Sequence, residues 1–275
     1  MDVIEKFIMG KYGKEELCED GIVVTDHFIA VIDGVSSKTS RQYHNKSTGK
    51  VACEMVAAGI HELSAESNHL NTFRTLNKQL YSWYKDQGIA DRLRENPSER
   101  PAACVVLYSK HAHQLWCVGD CQALYDGILV ANRLKIDELT TNIRCQVIEF
   151  LLSTGMTEAE LLRPNIANEC VQPIFNLQPH IQNRVLNSAY DYTVLDGFGL
   201  REDLIRVVEL PKNVKEVVLA SDGYPKLFSS LDETEEYLRY ILREDPLCYK
   251  IFKNDSAMQE GKISFDDRSY IRFAV

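Results

Sequence analysis

The sequence predicts an α+β fold, a four-layer α-β-β-α sandwich of two antiparallel sheets flanked by helices. Three observations predict it. Short apolar runs recur from residue 21 to the end of the chain. Polar turns separate most of them, without the regular strand–helix alternation of a parallel sheet. Two amphipathic segments at 48–65 and 70–86 each present one apolar face, suited to covering a sheet. The chain has 275 residues, of which 45% are hydrophobic, enough for a full core. No repeat, low-complexity tract or Pro/Gly/Ser linker divides it, so residues 1–275 are expected to form a single domain.

The elements follow in order. Gly21-Ile22-Val23-Val24 and Phe28-Ile29-Ala30-Val31-Ile32 read as strands joined by the polar turn Thr25-Asp26-His27. Ala52, Met55, Val56, Gly59, Ile60 and Leu63 recur at helical spacing, as do Phe73, Leu76, Leu80, Trp83 and Tyr84. Asn96-Pro97-Ser98-Glu99-Arg100-Pro101 is a loop. A meander follows. Ala103-Cys104-Val105-Val106-Leu107-Tyr108 turns through 109–113 into a strand ending at Gly119-Asp120. The strand at 122–125 then turns at Asp126-Gly127 into Ile128-Leu129-Val130. Residues 137–162 read as helical and 163–200 as irregular. Strands at 204–210 and 215–221, a helix at 231–243 and a strand at 269–275 complete the chain.

Charge and cysteine usage exclude several classes. The net charge of −9 argues against a nucleic-acid or anionic-membrane surface. No stretch approaches the roughly 18 apolar residues that cross a bilayer, and the N-terminus has no apolar leader. The eight cysteines form no CxxC pair and several sit inside apolar runs. They read as reduced core thiols, which places the protein in the cytoplasm.

Acidic residues stand where apolar runs end. These are Asp33-Gly34, Gly119-Asp120, Asp222-Gly223 and, before the last strand, Asp266-Asp267; Glu19-Asp20 precedes the first strand. Each alone is explained by turn chemistry or a wet surface. Together, strands that deliver carboxylates to one sheet edge make an oxygen cage suited to Mg²⁺ or Mn²⁺. Other motifs carry less. His111 and His113 lie in a hairpin tip, with no third ligand evident. Ser47-Thr48-Gly49-Lys50 lacks the first glycine and the element order of a P-loop. Neither a GxSxG elbow nor a Cys-x5-Arg loop occurs.

Read in order, the motifs Cys-Glu-Asp-Gly (18–21), Ala-Val-Ile-Asp-Gly-Val-Ser (30–36), Val-Gly-Asp-Cys (118–121), Leu-Ala-Ser-Asp-Gly-Tyr (219–224) and Phe-Asp-Asp-Arg-Ser (265–269) resemble the PPM family, the metal-dependent serine/threonine phosphatases of type 2C. The likeness runs from about residue 10 to 275. It implies a sandwich with two Mn²⁺ or Mg²⁺ ions at one end and a place for a third. It also implies that Asp33 bridges two ions, that the Gly34 carbonyl ligates one, and that Asp222 and Asp266 complete the other. Glu19 and Asp20 would act through metal-bound waters, and Asp120 would hold a weaker third ion. The implied reaction is hydrolysis of phosphate monoesters, phosphoserine or phosphothreonine in proteins, by direct attack of a metal-bound hydroxide.

Departures bear on substrate grip. Asp-Gly-Val-Ser-Ser replaces the family's Asp-Gly-x-Gly-Gly, Val35 stands where some members carry a histidine, and Gly-Asp-Cys replaces Gly-Asp-Ser. The family's phosphate-anchoring arginine is absent from its usual place; Lys14 and Arg41 are the candidate cations. Residues 140–200 form a distinctive insert, in which Asn183-Arg184 and Tyr190-Asp191-Tyr192 belong either to a structural cap or to a substrate-selecting lid. Two alternatives stand beside the phosphoprotein phosphatase: a pseudophosphatase binding module, and a hydrolase of small phosphate esters.

Overall fold

The computed structural model describes all residues except 37–38 and 163–165; Ser37 of the expected Ser36-Ser37 turn therefore lies outside the described residues. The strands are β1 (Asp2–Met9), β2 (Gly21–Val24), β3 (Phe28–Gly34), β4 (Gln42–Tyr43), β5 (Lys46–Ser47), β6 (Ala103–Ser109), β7 (Gln114–Val118), β8 (Gln122–Tyr125), β9 (Ile128–Val130), β10 (Arg206–Glu209), β11 (Glu216–Ala220) and β12 (Arg268–Ala274). The helices are α1 (Thr48–His61), α2 (His69–Asp86), α3 (Ala90–Glu95), α4 (Lys135–Ser153), α5 (Glu158–Leu161), α6 (Ile166–Phe175), α7 (Gln178–Ile181) and α8 (Leu231–Glu244). One sheet has the order β1-β12-β11-β8-β9 and the other β10-β7-β6-β3-β2, with antiparallel pairing throughout. The expected α+β class, two antiparallel sheets flanked by helices, is the one observed.

Strand periodicity explains the layers. Along β3 and β6, Ile29, Val31, Val106 and Tyr108 point between the sheets, where they meet Ala123, Val217, Leu219, Ile271 and Phe273. The alternate residues Ala30, Ile32, Val105 and Leu107 point outward, onto Val56 and Ile60 of α1 and Phe73, Leu76 and Leu80 of α2. On the far side Val218, Ala220 and Tyr270 pack with Leu238 of α8. Central strands covered on both faces carry apolar side chains at every position, which is why 28–32 and 103–108 read as unbroken apolar runs.

The structure adds the separate two-stranded pair β4–β5 and helix α3, splits the helix expected over 137–162 into α4 and α5, and departs further at the N-terminus and within 163–200. β1 was not expected; it pairs antiparallel with β12, Phe7 opposite Tyr270, at the edge of its sheet. Its side chains are exposed or half-buried and its register shifts between Val3 and Glu5, so no clean alternation marks it. Within 163–200, expected to be irregular, α6 and α7 form; Pro173 lies inside α6 and masks its helical pattern. Buried Arg144 of α4 ties this region to the chain before β12. Its Nε donates to Asn168 Oδ1 (2.5 Å) and its Nη1 to the carbonyls of Leu247 (2.9 Å) and Asn254 (3.0 Å).

Gly223 shows how closely the two Asp-bearing junctions pack. A Cβ there would run into the carbonyl of Asp267, a backbone atom that cannot swing away. Gly223→Ala is expected to destabilise the fold by about 1–3 kcal/mol, the usual cost of overpacking. Urea denaturation checks it, and an unchanged midpoint contradicts the close packing.

Candidate metal centre

Antiparallel pairing gathers the acidic residues at one end of the sandwich. Asp33 closes β3, Asp120 follows β7 and Asp222 follows β11. Because β2 and β12 run opposite to their neighbours, the residues that precede them, Glu19-Asp20 and Asp266-Asp267, arrive at the same end. Asp33, Asp120 and Asp222 each offer an oxygen within 4.8 Å of the others. Among the described residues, no lysine, arginine or histidine makes an ion pair with any of the three.

The electrostatics follow from that crowding. Burial, then repulsion from Asp20, Asp222 and Asp120, holds the Asp33 carboxyl well above the ordinary range. Burial raises Asp120 as well, opposed by a hydrogen bond with Cys104 and reinforced by Asp255 and Asp266. Desolvation by the surrounding walls, then repulsion from Asp120 and Asp266, raises Asp222. The surface of Asp222 is open to the cleft, so water tempers the first of these and the repulsion is the firmer cause. Buried Asp20 is pushed up to about 7 by desolvation and by Asp267 and Asp266, although Ser221 and Ser269 donate to it.

A set of hard oxygen donors, mutually repelling and unmatched by any cationic side chain among the described residues, fits Mg²⁺ or Mn²⁺. Such an ion would be held by Asp33, Asp120 and Asp222.

The remaining expected residues take other positions. Glu19 is buried and its carboxylate is already engaged: Ser47 Oγ donates to Oε1 (2.5 Å) and Ser36 Oγ to Oε2 (2.6 Å). Asp20 accepts from Ser269 Oγ at 2.8 Å and does not line the cleft. Asp266 lines the cleft, but its Oδ1 accepts from Lys11 Nζ (3.2 Å) and from the Asp267 N–H (2.8 Å). Gly34 packs against Gly49 in the first turn of α1; a Cβ on Gly49 would lie 2.5 Å from the Gly34 carbonyl oxygen. Neither candidate phosphate cation is in the cleft wall. Lys14 is exposed, and the Nε of Arg41 pairs with Glu99 Oε2 at 3.2 Å.

The cleft above the cluster has a volume of about 470 Å³. Lys11 and Lys262 are the cations lining it among the described residues, and Leu134, Asp137, Gln178, Gln182 and Tyr192 bring the 134–194 region to its wall. The expected cap residues are mostly committed to structure. Asn183 Oδ1 accepts from Thr193 Oγ1 (2.8 Å), Asp191 pairs with Arg201 (2.7 Å), and the Tyr192 hydroxyl donates to the Gln178 carbonyl (2.8 Å). His113, at the hairpin tip, bonds with the Tyr108 hydroxyl (3.0 Å), a local anchor.

Lys11, Ser36 and Ser47 were not among the expected site residues, and Asp267 was expected only as part of the acidic pair Asp266-Asp267, without a role of its own. Ser47 and Gly49 come from the segment set aside as a failed P-loop. Ser47 caps α1 and clamps Glu19, and Gly49 lets the helix approach β3. A serine three residues ahead of a helical amide was a legible capping signal; its second bond to Glu19 was not. Buried Asp267 accepts from the backbone N–H of Lys11 (2.7 Å) and of Glu19 (2.9 Å), which fixes both segments against β12.

No protein-family model matches the chain, and no curated protein matches its sequence. The structure is similar to that of the serine/threonine phosphatase Stp1 from Staphylococcus aureus. The match has TM-score 0.51 and 12% identity, over 98% of this chain and 94% of that one. It also matches the Mycobacterium tuberculosis serine/threonine phosphatase PstP/Ppp at TM-score 0.46 and 13% identity, over 99% of this chain and 98% of that one. The PstP catalytic domain in complex with two manganese ions matches at TM-score 0.48 and 14% identity, over the full length of both chains. The likeness to Stp1 establishes the fold: this chain shares the sandwich of a serine/threonine phosphatase.

Proposed function

We propose that this chain is a divalent-cation-dependent phosphatase that hydrolyses phosphate monoesters, with phosphoserine or phosphothreonine in proteins as the substrate class. One observation carries the proposal: Asp33, Asp120 and Asp222 converge at the open end of the sandwich, and among the described residues no cationic side chain pairs with them. The expected motif residues and a fold shared with Stp1 support it.

A bound Mn²⁺ or Mg²⁺ would supply an acidified water as nucleophile and offset charge on the phosphoryl oxygens. The chain's own residues set the rest. The three carboxylates would hold the cation where the cleft opens, and Asp267 fixes the segments that carry Lys11 and Glu19. The Cys104 thiol lines the cleft, but burial, then the charges of Asp120 and Asp33, keep it protonated and make it a poor nucleophile. The cleft volume accommodates a phosphorylated side chain, and the flanking wall from 134–194 bounds what else enters.

Purified protein is expected to turn over para-nitrophenyl phosphate and a phosphothreonine peptide with Mn²⁺ or Mg²⁺, and to stop on chelation. Binding of the phosphopeptide without turnover in well-folded, metal-supplied protein would instead identify a pseudophosphatase. A marked preference for a sugar phosphate over the peptide would identify a small-ester hydrolase.

A further inference from the structure

The acidic residues at the mouth of the sandwich divide into two groups. Asp33, Asp120 and Asp222 share one space, without a cationic partner among the described residues. Glu19, Asp266 and Asp267 share another, and the Lys11 ammonium sits in it. Its Nζ lies 2.9 Å from Ser36 Oγ, 3.2 Å from Asp266 Oδ1, 3.5 Å from Glu19 Oε2 and 3.6 Å from Asp267 Oδ2. Four oxygens around a single positive centre form a coordination shell for a cation, and here the cation is a side chain.

Lys11 is also built in. Its N–H donates to Asp267 Oδ1 at 2.7 Å and its carbonyl accepts from the Ile263 N–H at 2.8 Å. Its side chain is only 14% exposed, unlike the freely hydrated ammonium of a surface lysine. The turn behind it is tight: a Cβ on Gly10 would lie 2.6 Å from the Lys14 carbonyl oxygen.

We propose that Lys11 is a fixed internal cation that takes the place of a second metal ion, so that the centre holds one divalent cation, at Asp33, Asp120 and Asp222. The inference rests on the metal-centre reading above and narrows it. A divalent ion entering the Glu19–Asp266 group would have to displace the ammonium or lie beside it against direct repulsion. Asp266 is then a partner of Lys11 rather than a ligand, and Lys11 meets the substrate side of the cleft as a positive group that does not dissociate.

The test is metal content per chain, by elemental analysis of protein equilibrated with Mn²⁺ and desalted, alongside titration calorimetry. One ion is expected in the wild type and in Lys11→Arg, and two in Lys11→Met, which empties the second shell. Asp222→Asn is expected to weaken Mn²⁺ binding by more than about 100-fold and Asp266→Asn by only about tenfold, the low end of losing a supporting group. Should Lys11→Met fail to fold, the wild-type count and the Asp266→Asn titration still decide. Two ions in the wild type, or an Asp266→Asn loss as large as that of Asp222→Asn, overturns the Lys11 assignment and leaves the metal centre standing. No ion in the wild type, or full binding in Asp222→Asn, overturns the metal centre itself and the assignment with it.

Discussion

Asp222→Asn is expected to lower metal-dependent phosphatase activity by at least about 10²-fold while making the metal-free protein more stable. The activity loss follows from removing one charged oxygen donor from a site whose worth is electrostatic. The stability gain has the same origin. Without an ion, Asp222 sits against Asp33 and Asp120, and among the described residues no cationic side chain offsets them. An amide keeps the shape, removes one of the repelling charges and can donate to a neighbouring carboxylate. The metal-free melting temperature should rise by a few degrees, at about 2–4 °C per kcal/mol of relieved repulsion. The Mn²⁺-induced rise expected of the wild type should disappear. Thermal melts in chelator and in Mn²⁺, with hydrolysis of para-nitrophenyl phosphate, read all three effects. A variant that is less stable without metal and still active would show that these carboxylates are ordinary turn residues.

The second large effect is on pH. Asp20 has a folded pKa of about 7 against an ordinary 3.8, and Asp33, Asp120 and Asp222 are raised in the same direction. Between those values the folded state binds more protons than the unfolded state, so stability falls as pH rises. For Asp20 the window runs from about 4 to about 7. Each decade between the two pKa values is worth about 1.4 kcal/mol, so the loss amounts to a few kcal/mol. Metal-free protein should therefore melt higher at pH 5 than at pH 7.5. Cation binding needs the ionised carboxylates and releases their protons, so the dependence reverses when Mn²⁺ is present. The Mn²⁺-induced rise in melting temperature should be larger at pH 7.5 than at pH 5. An equal rise at both values would mean that the carboxylates are already ionised in the metal-free state.

Much of the fold was legible because its signals are local. Asp33-Gly34 and Asp222-Gly223 end runs that become β3 and β11, and the helical spacing at 48–65 and 70–86 became α1 and α2. Less was legible where local signals conflict with the structure, as in edge strand β1 and Pro173-containing α6. The phosphate-side cations illustrate the same limit. Lys14 and Arg41 lie near the acidic motifs in sequence, yet one is exposed and the other pairs with Glu99.

By itself, the sequence determined that carboxylates stand at strand ends, because strand periodicity and turn chemistry are properties of neighbouring residues. Only the tertiary structure decided which of them meet. Asp120 joins Asp33 and Asp222, while Asp266, 255 residues from Lys11, is drawn to that lysine instead. Partners so far apart are set by sheet order and loop path. A shift of an ångström or two in either decides whether a carboxylate faces a metal ion or an ammonium, because charge pairing at contact distance depends steeply on separation.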